Sequence, residues 1–467
     1  MGRKWVIIKK SKSNKLIGNI IIGICSIVLL YLLISIYFIK NFNLGTVING
    51  VNVSGKTING ASEKLENEIN RYKLEIKGRG NDTEEILGND IELKYNGDNI
   101  IANIKKEQKP FAWIIGVFNK KDYKFLELSL YNEELLIDKF SNLICIGCEE
   151  VIEPKNASFE YVDGGYILIE EVYGNKIKKD ISYEVIKNAI MTGEKIIDLE
   201  SLGGYENPKY ISTSQEVIEA HRILNKYVSS EITYMFEDEE EVLEGSIIKA
   251  WLNVNEDLEV SIDEKKVREY IEGLSNLYDT IGITREFNTA YGEKVQVTGG
   301  YYGWKINKAD ELKSLMENIK NGEVIDKEPI YLQKGLQRGE NDIGDTYVEI
   351  SMNRQYLWFY KDGKIIAEGE VVTGDVNKGY KTPLGTYMLN YKQKSATLRG
   401  ENYSSEVKYW MPFNGNIGLH DAGWRYSFGG EIYKNNGSHG CVNLPEYVAK
   451  KIFENIEDGT PIICYYD

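Results

Sequence analysis

His420-Asp421-Ala422, fifteen further residues, and then Ser438-His439-Gly440-Cys441-Val442-Asn443 bring together two of the three histidines and one of the five cysteines in the chain. A cysteine is a nucleophile only as its thiolate, so it needs a base or positive electrostatics beside it. His420 supplies that base if the intervening residues fold back on themselves. Asp421 then orients the imidazole, through its side chain or its backbone carbonyl. His439, two residues before the thiol, is placed to donate a hydrogen bond to substrate or to developing negative charge. Gly440 admits a carbonyl close to the backbone, which makes the amides of Gly440 and Cys441 candidate oxyanion donors. Asn443 offers an amide to a substrate or a neighbouring loop, and Ser438 is read as a further substrate contact. Two other readings use the same residues: a packed thiol with no chemistry, and a zinc ion held by His420, His439 and Cys441 with an open position.

The surroundings are mainly β. Residues 347–360 read as a strand, Lys361-Asp362-Gly363-Lys364 as a tight turn, and residues 365–372 as the returning strand. Lys381-Thr382-Pro383-Leu384-Gly385-Thr386-Tyr387 is a rigid turn entering another strand, and a helix is expected over 445–455 after the cysteine. Trp424 lies in the excursion between His420 and Ser438, which makes it the candidate lid contact. The turn Asn414-Gly415-Asn416 leads into the His420 strand, so Gly415 and Asn416 are candidates for lining a pocket beside it. A polar stretch around Gly335, Gly339, Asn341, Asp342 and Gly344 reads as the linker that opens this domain, taken as 338–467.

Upstream, the chain repeats itself. Tyr173-Gly174-Asn175-Lys176-Ile177, a helical run, Gly193-Glu194 and Ile197-Asp198 match Tyr302-Gly303-Trp304-Lys305-Ile306, a helical run, Gly322-Glu323 and Ile325-Asp326, at an offset of 129 with one residue lost. Two copies of one α+β module are therefore expected, over 61–205 and 206–337. They serve either as tandem binding modules or as spacers. The acidic run 237–241 reads as a solvated loop, and His221 as a surface or packing residue on a helix over 214–228.

Residues 16–39 are 24 consecutive residues without a charge. As a helix they span about 36 Å, enough to cross a bilayer with some tilt. The stretch ends without the small-residue site of a cleaved signal peptide, so it is read as a transmembrane helix. The basic tail 1–15 then stays in the cytoplasm and everything beyond Lys40 lies outside, starting with a stalk over 40–60. Seven of the 56 bases fall in the first forty residues, which hold no acid, leaving 49 bases against 71 acids and a charge of −22 on the rest. So acidic a body repels phosphate backbones, which argues against nucleic acid as a partner. Cys145-Ile146-Gly147-Cys148 is read as a local disulfide or a pair of thiols, since no second pair completes a zinc site.

The histidine, the gap and Ser438-His439-Gly440-Cys441-Val442-Asn443 resemble the signature of the L,D-transpeptidases with a YkuD-type catalytic domain, and Lys381-Thr382-Pro383-Leu384-Gly385-Thr386 is similar to that domain's second characteristic turn. The resemblance covers residues 345–467, and the repeats are similar to the peptidoglycan-binding domains that precede such catalytic domains. It implies a multidomain chain: transmembrane helix, two α+β modules, and a mainly-β catalytic domain. It also implies acyl transfer in the cell wall, without metal or organic cofactor. Cys441 would attack the carbonyl between the third residue of a tetrapeptide stem and its terminal D-Ala, and the thioester would pass to the side-chain amine of a neighbouring stem, giving a three-to-three crosslink. By position His420 would move the proton, Asp421 orient it, and His439 with Gly440 form the substrate and oxyanion site. Carbapenems would acylate Cys441. An L,D-carboxypeptidase, in which water replaces the amine, shares every one of these residues. A wall-binding protein with a decayed catalytic fold would have lost some of them.

Overall fold

The computed structural model describes residues 13–143, 150–339, 341–400 and 403–467, so the Cys145–Cys148 pair lies outside the described residues. The N-terminal apolar helix, the mixed helix and strand modules and the strand-rich C-terminal domain expected from the sequence are all present. The chain divides into two compact units, Met1–Ser158 with Ile169–Ser214, and Phe159–Leu168 with Gln215–Asp467.

In the first unit the helix Ser13–Lys40 contains a run, Leu16–Lys40, of mean hydropathy 2.7, long and apolar enough to cross a membrane. Its side chains are largely exposed, Ile22 and Ile27 by two thirds. The hydroxyls of Ser26 and Ser35 return to the carbonyls of Ile22 and Tyr31 one turn back, which hides their polarity inside the helix. The residues expected as a stalk are packed instead. Phe42, Ile48 and Val53 are buried with Ala61, Leu65, Ile101, Ile104 and Leu128. The strands Thr46–Ile48 and Val51–Asn52 pair across Asn49-Gly50, both at positive φ, and Thr46–Ile48 also pairs in parallel with Lys121–Tyr123. That long-range partner is invisible in a short window of sequence, which is why the segment reads as a stalk.

The repeat has a structural basis. In each copy a helix ends on a glycine in the left-handed region, Lys179–Thr192 on Gly193 and Lys308–Asn321 on Gly322. The next strand, Ile196–Asp198 or Val324–Lys327, then pairs in parallel with an earlier one, Lys73–Lys77 or Glu231–Phe236. Each copy closes its own core, around Leu74, Ile86, Ile186 and Leu199 in the first and Ile232, Tyr234, Ile271 and Leu315 in the second. The acidic run turns a hairpin at Glu237-Asp238, with Glu237 at φ 64, and its last three residues pair with Tyr234, Met235 and Phe236. His221 lies on the helix Gln215–Val228, its Nε2 2.7 Å from the carbonyl of Tyr166 and its ring stacked on Phe159, a packing role.

The C-terminal domain has two sheets. In the first, β1 (Tyr347–Ser351), β2 (Tyr356–Lys361), β3 (Lys364–Glu370), β4 (Gly385–Met388) and β9 (Pro461–Tyr465) run in the order β3-β2-β1-β9-β4. In the second, β5 (Gln393–Gly400), β6 (Tyr403–Asn414), β7 (Ile417–Asp421) and β8 (Val442–Leu444) lie in sequence order. The single strand expected over 347–360 is a hairpin. Its turn puts Gln355 at φ 51, a position a glycine usually marks, and holds it by bonds from the buried Gln355 amide to Met352 O and Thr373 Oγ1, both 2.7 Å. The helix Glu446–Asn455 packs Val448, Ala449 and Ile452 into the core with Val348, Leu357, Phe359, Leu419, Val442 and Ile462.

The expected linker is clamped. Asp342, 3 % exposed, accepts from Arg285 Nε at 2.7 Å and Nη2 at 2.6 Å, and Trp304 Nε1 donates to Gln337 O at 2.9 Å. Phe287, Val297 and Tyr302 of the second module share a small core with Ile463 and Tyr465 of β9. Gly299 O accepts from Thr386 N, and Tyr302 N donates to Thr386 O, both at 3.0 Å. Gly300 is required between them, because a Cβ there would lie 2.0 Å from Thr386 O. Within this unit the second module is thus a buttress of the first sheet.

Candidate active site

The second sheet assembles the site. β7 pairs antiparallel with β6, setting Trp410 opposite His420, and parallel with β8, setting His420 beside Asn443. The loop before β8 is strapped to residues 373–375: Ser438 N donates to Thr373 O at 3.0 Å, Asp375 N to Ser438 O at 2.9 Å, and Gly437 N to Asp375 Oδ2 at 3.2 Å. Thr382, from the second characteristic turn, donates its hydroxyl to Gly440 O at 2.7 Å and accepts from Gly374 N at 2.9 Å. The turn is therefore a fixture that holds the backbone on which Cys441 is mounted.

His420 is 3 % exposed. Its Nδ1 lies 2.9 Å from the backbone carbonyl of Asp421, which can only accept, so Nδ1 carries the proton and the lone pair sits on Nε2. Of the two ways Asp421 was expected to orient the ring, the backbone one is realised. Its carboxylate turns away and accepts from the amides of Lys408 and Tyr409, both at 2.8 Å, tying β6 to the end of β7. Burial presses the His420 pKa below its ordinary value; the Asp421 carbonyl and charge oppose this, and the charge of Arg425 adds to it. The ring is neutral at pH 7.

Cys441 is half-buried, and its Sγ lies 3.5 Å from the carbonyl of Asn416. Burial pushes its pKa up to about 11, with a hydrogen bond from the Gly418 amide pulling the other way. Burial thus favours the protonated thiol at neutral pH. A pocket of about 180 Å³ exposes Cys441, His420, His439 and Trp424 together, with Leu398 and Ser405 contributed by β5 and β6. Among the described residues no three His, Cys, Asp or Glu side chains are grouped in a way that could hold a metal ion, so His420, His439 and Cys441 do not form the ligand set of the zinc alternative. A larger hollow in the first unit, about 610 Å³, is lined by neither cysteine nor histidine.

The other expected site residues sort themselves by contact. Ser438 Oγ donates to Cys441 O and accepts from Gly440 N at 3.0 Å, so it ties the loop to itself. The Gly440 amide is thereby engaged. What the residue supplies is its backbone, at φ 116, with Ile417 so near that a Cβ would sit 3.2 Å from it. His439 is exposed at the pocket with its ring 4.7 Å from that of Tyr380. Trp424, 47 % exposed, has its ring 5.9 Å from His420. Asn416 reaches the thiol through its carbonyl, whereas Gly415 only shapes the β6–β7 turn at φ 56.

Asn443 is 2 % exposed, and its amide nitrogen donates to His420 Nε2 at 3.1 Å. Its orientation is set by Arg425, whose Nε donates to Asn443 Oδ1 at 2.7 Å and whose Nη1 donates to Asn436 O at 2.8 Å. Since Arg425 only donates, Asn443 must turn its oxygen to Arg425 and its nitrogen to the histidine. Sequence reasoning missed Arg425, Tyr380 and Asp375. Arg425 adjoins Trp424 in the quoted excursion, and a cation one residue from a lid candidate is the signal that was there to be used.

The profile of the L,D-transpeptidase catalytic domain matches residues 345–464, and the profile of a domain described as peptidoglycan-binding matches twice, at 84–198 and 211–326. Among solved structures, the Ldtfm-avibactam carbamoyl enzyme is 33% identical, over 54% of this chain and 99% of its own, with a TM-score of 0.44. A cysteine-to-serine mutant of an Enterococcus faecium L,D-transpeptidase is 32% identical, over 54% of this chain and 100% of its own, with a TM-score of 0.44. The catalytic domain from the E. faecium L,D-transpeptidase acylated by ertapenem is 40% identical, over 26% of this chain and 97% of its own, with a TM-score of 0.24. No curated protein matches the chain. The two domain profiles and relatives more than 30% identical over nearly their whole length establish that the chain belongs to the L,D-transpeptidases with a YkuD-type catalytic domain.

Proposed function

We propose that Cys441 is the nucleophile of a two-step acyl transfer that forms three-to-three crosslinks in peptidoglycan. The observation that carries this reading is the shared pocket: a half-buried thiol and a neutral imidazole whose Nε2 holds a lone pair, on a backbone fixed by Thr382, Ser438 and Asp421. In acylation the thiol proton passes to His420 Nε2 as sulfur bonds to the carbonyl carbon of the third stem residue. The oxyanion forms beside the Cys441 amide and His439. As the C–N bond breaks, the imidazolium returns the proton to the departing amine of D-Ala, leaving a thioester. In the second step the acceptor amine attacks the thioester, His420 takes its proton, and the C–S bond breaks with the sulfur reprotonated. Asn443, turned by Arg425, holds Nε2 in the resting site and must give up that contact as Nε2 takes the proton. Family membership supports acylation of Cys441 by carbapenems through the same attack.

Residues 16–39 are the proposed membrane span, with the basic tail in the cytoplasm and the remainder at the cell wall. The modules at 61–205 and 206–337 are the proposed contacts with wall polymer, and the catalytic domain begins at 338.

Incubating the purified protein with disaccharide-tetrapeptide stems tests the reaction. The expected products are free D-Ala and a dimer whose mass is that of two stems less one D-Ala. D-Ala release without dimer would make the protein a carboxypeptidase.

A further inference from the structure

Past the N-terminal helix the first unit carries one conspicuous run of exposed apolar residues, Phe111-Ala112-Trp113-Ile114-Ile115-Gly116-Val117-Phe118. Phe111, Ile115 and Val117 are more than half exposed, Ile114 nearly so, and Phe118 is 87 % exposed. A contiguous patch of this kind marks a surface that meets something other than water. What it meets is indicated by its neighbour. The Tyr31 hydroxyl donates to Phe111 O, Trp113 Nε1 donates to Ser35 Oγ at 3.1 Å, and Trp113 stacks on Phe38 with ring centroids 5.6 Å apart. All three contacts are to the helix Ser13–Lys40, on its last three turns.

We infer that residues 110–118 are a second membrane contact, a re-entrant hydrophobic wedge that lies beside the helix in the half of the bilayer from which the helix emerges at Lys40. The inference rests on the reading of that helix as a membrane span. Lys40 closes the uncharged run, so it marks the level of the headgroups. Tyr31 is nine residues earlier, about 13 Å deeper at 1.5 Å per residue, against a half-thickness of hydrocarbon of about 15 Å. A segment touching Tyr31, Ser35 and Phe38 is thus level with acyl chains.

Irregular backbone is tolerated at that depth only if its polar groups are satisfied by protein. Here the segment forms two tight turns, Pro110–Ala112 and Ile115–Phe118, in which Ala112 N donates to Lys109 O, Gly116 N to Trp113 O, Val117 N to Ile114 O and Asn119 N to Ile115 O, at 2.9 to 3.2 Å. The Phe111 carbonyl and the Trp113 indole are satisfied by the helix itself. Bases bracket the wedge: Lys106 and Lys109 precede it and Lys120 and Lys121 follow, all exposed, as suits a rim at anionic headgroups. Lys105 is turned inward and donates to Phe38 O at 2.8 Å, fastening the wedge's own base to the end of the helix.

Photocrosslinking of the full chain decides this. Phe118→p-benzoylphenylalanine is compared with Leu30→p-benzoylphenylalanine in the helix and Tyr426→p-benzoylphenylalanine on the catalytic domain, each reconstituted into phosphatidylglycerol–phosphatidylcholine vesicles carrying an alkyne-tagged phosphatidylcholine. Lipid adducts are expected at 118 and 30 and not at 426. An adduct at 30 without one at 118, equal adducts at 118 and 426, or a protein–protein dimer from 118 in place of lipid would each overturn the wedge while leaving the membrane helix in place. No adduct at 30 would overturn the membrane reading, and the wedge with it.

Discussion

Replacing Cys441 with alanine is expected to abolish D-Ala release and crosslinking together, a fall of roughly four orders of magnitude or more, as for nucleophile knockouts that leave only binding and oxyanion stabilisation. The thiol is a small, half-buried group, and among the described contacts its hydrogen is bonded only at 3.5 Å to Asn416 O, so the fold has little to lose. The thermal midpoint should stay within a few degrees of the parent. A protein acting only as a wall binder would keep its full effect on cells after this change. Because burial pushes the thiol up to about 11, a nucleophilic Cys441 would attack only as its proton leaves, and the second large effect follows from that.

His420→Gln should lower kcat/KM by about three orders of magnitude, in the middle of the range a positioned base contributes. Glutamine keeps an oxygen to accept from Asn443 Nδ2, which preserves that contact while removing the proton acceptor. In the parent protein, kcat/KM should hold as pH falls through the usual histidine range near 6.5, since burial lowers the His420 pKa, and should decline only below it. The same shift affects stability. Below 6.5 the unfolded chain takes up a proton that the folded site refuses, so stability is complete above 6.5 and is lost as pH falls from there through the folded pKa. The glutamine variant lacks both the acid limb in rate and this share of the acid loss in stability. Stopped D-Ala assays across pH, with thermal melts at the same values, read both.

The parts of this molecule legible in the sequence are those whose signals are local. The helix through residues 16–39 shows in a run without charge, the two modules in glycines that end their helices at 193 and 322, and the candidate site in the spacing of His420, Ser438 and Cys441. What could not be read depends on partners distant in the chain. The segment 40–60 resembles a stalk until Lys121–Tyr123 arrives to pair with it. Asp342 resembles linker polarity until Arg285, 57 residues earlier, closes on it. The turn at Gln355 has no glycine, because two side-chain hydrogen bonds hold the left-handed conformation instead. At the candidate site, which atom of Asp421 meets the imidazole depends on β6 competing for its carboxylate. Asn443 was assigned to substrate because nothing in sequence says that Arg425 turns its amide toward His420.

The acyl-enzyme itself is the most direct test of the central claim. Intact-mass measurement of the protein quenched in acid during turnover of tetrapeptide stems should show an adduct equal to the stem less D-Ala, mapped by peptide digestion to Cys441 and removed by hydroxylamine as thioesters are. An adduct on another residue, or steady turnover with none on Cys441 under single-turnover quench, would contradict it.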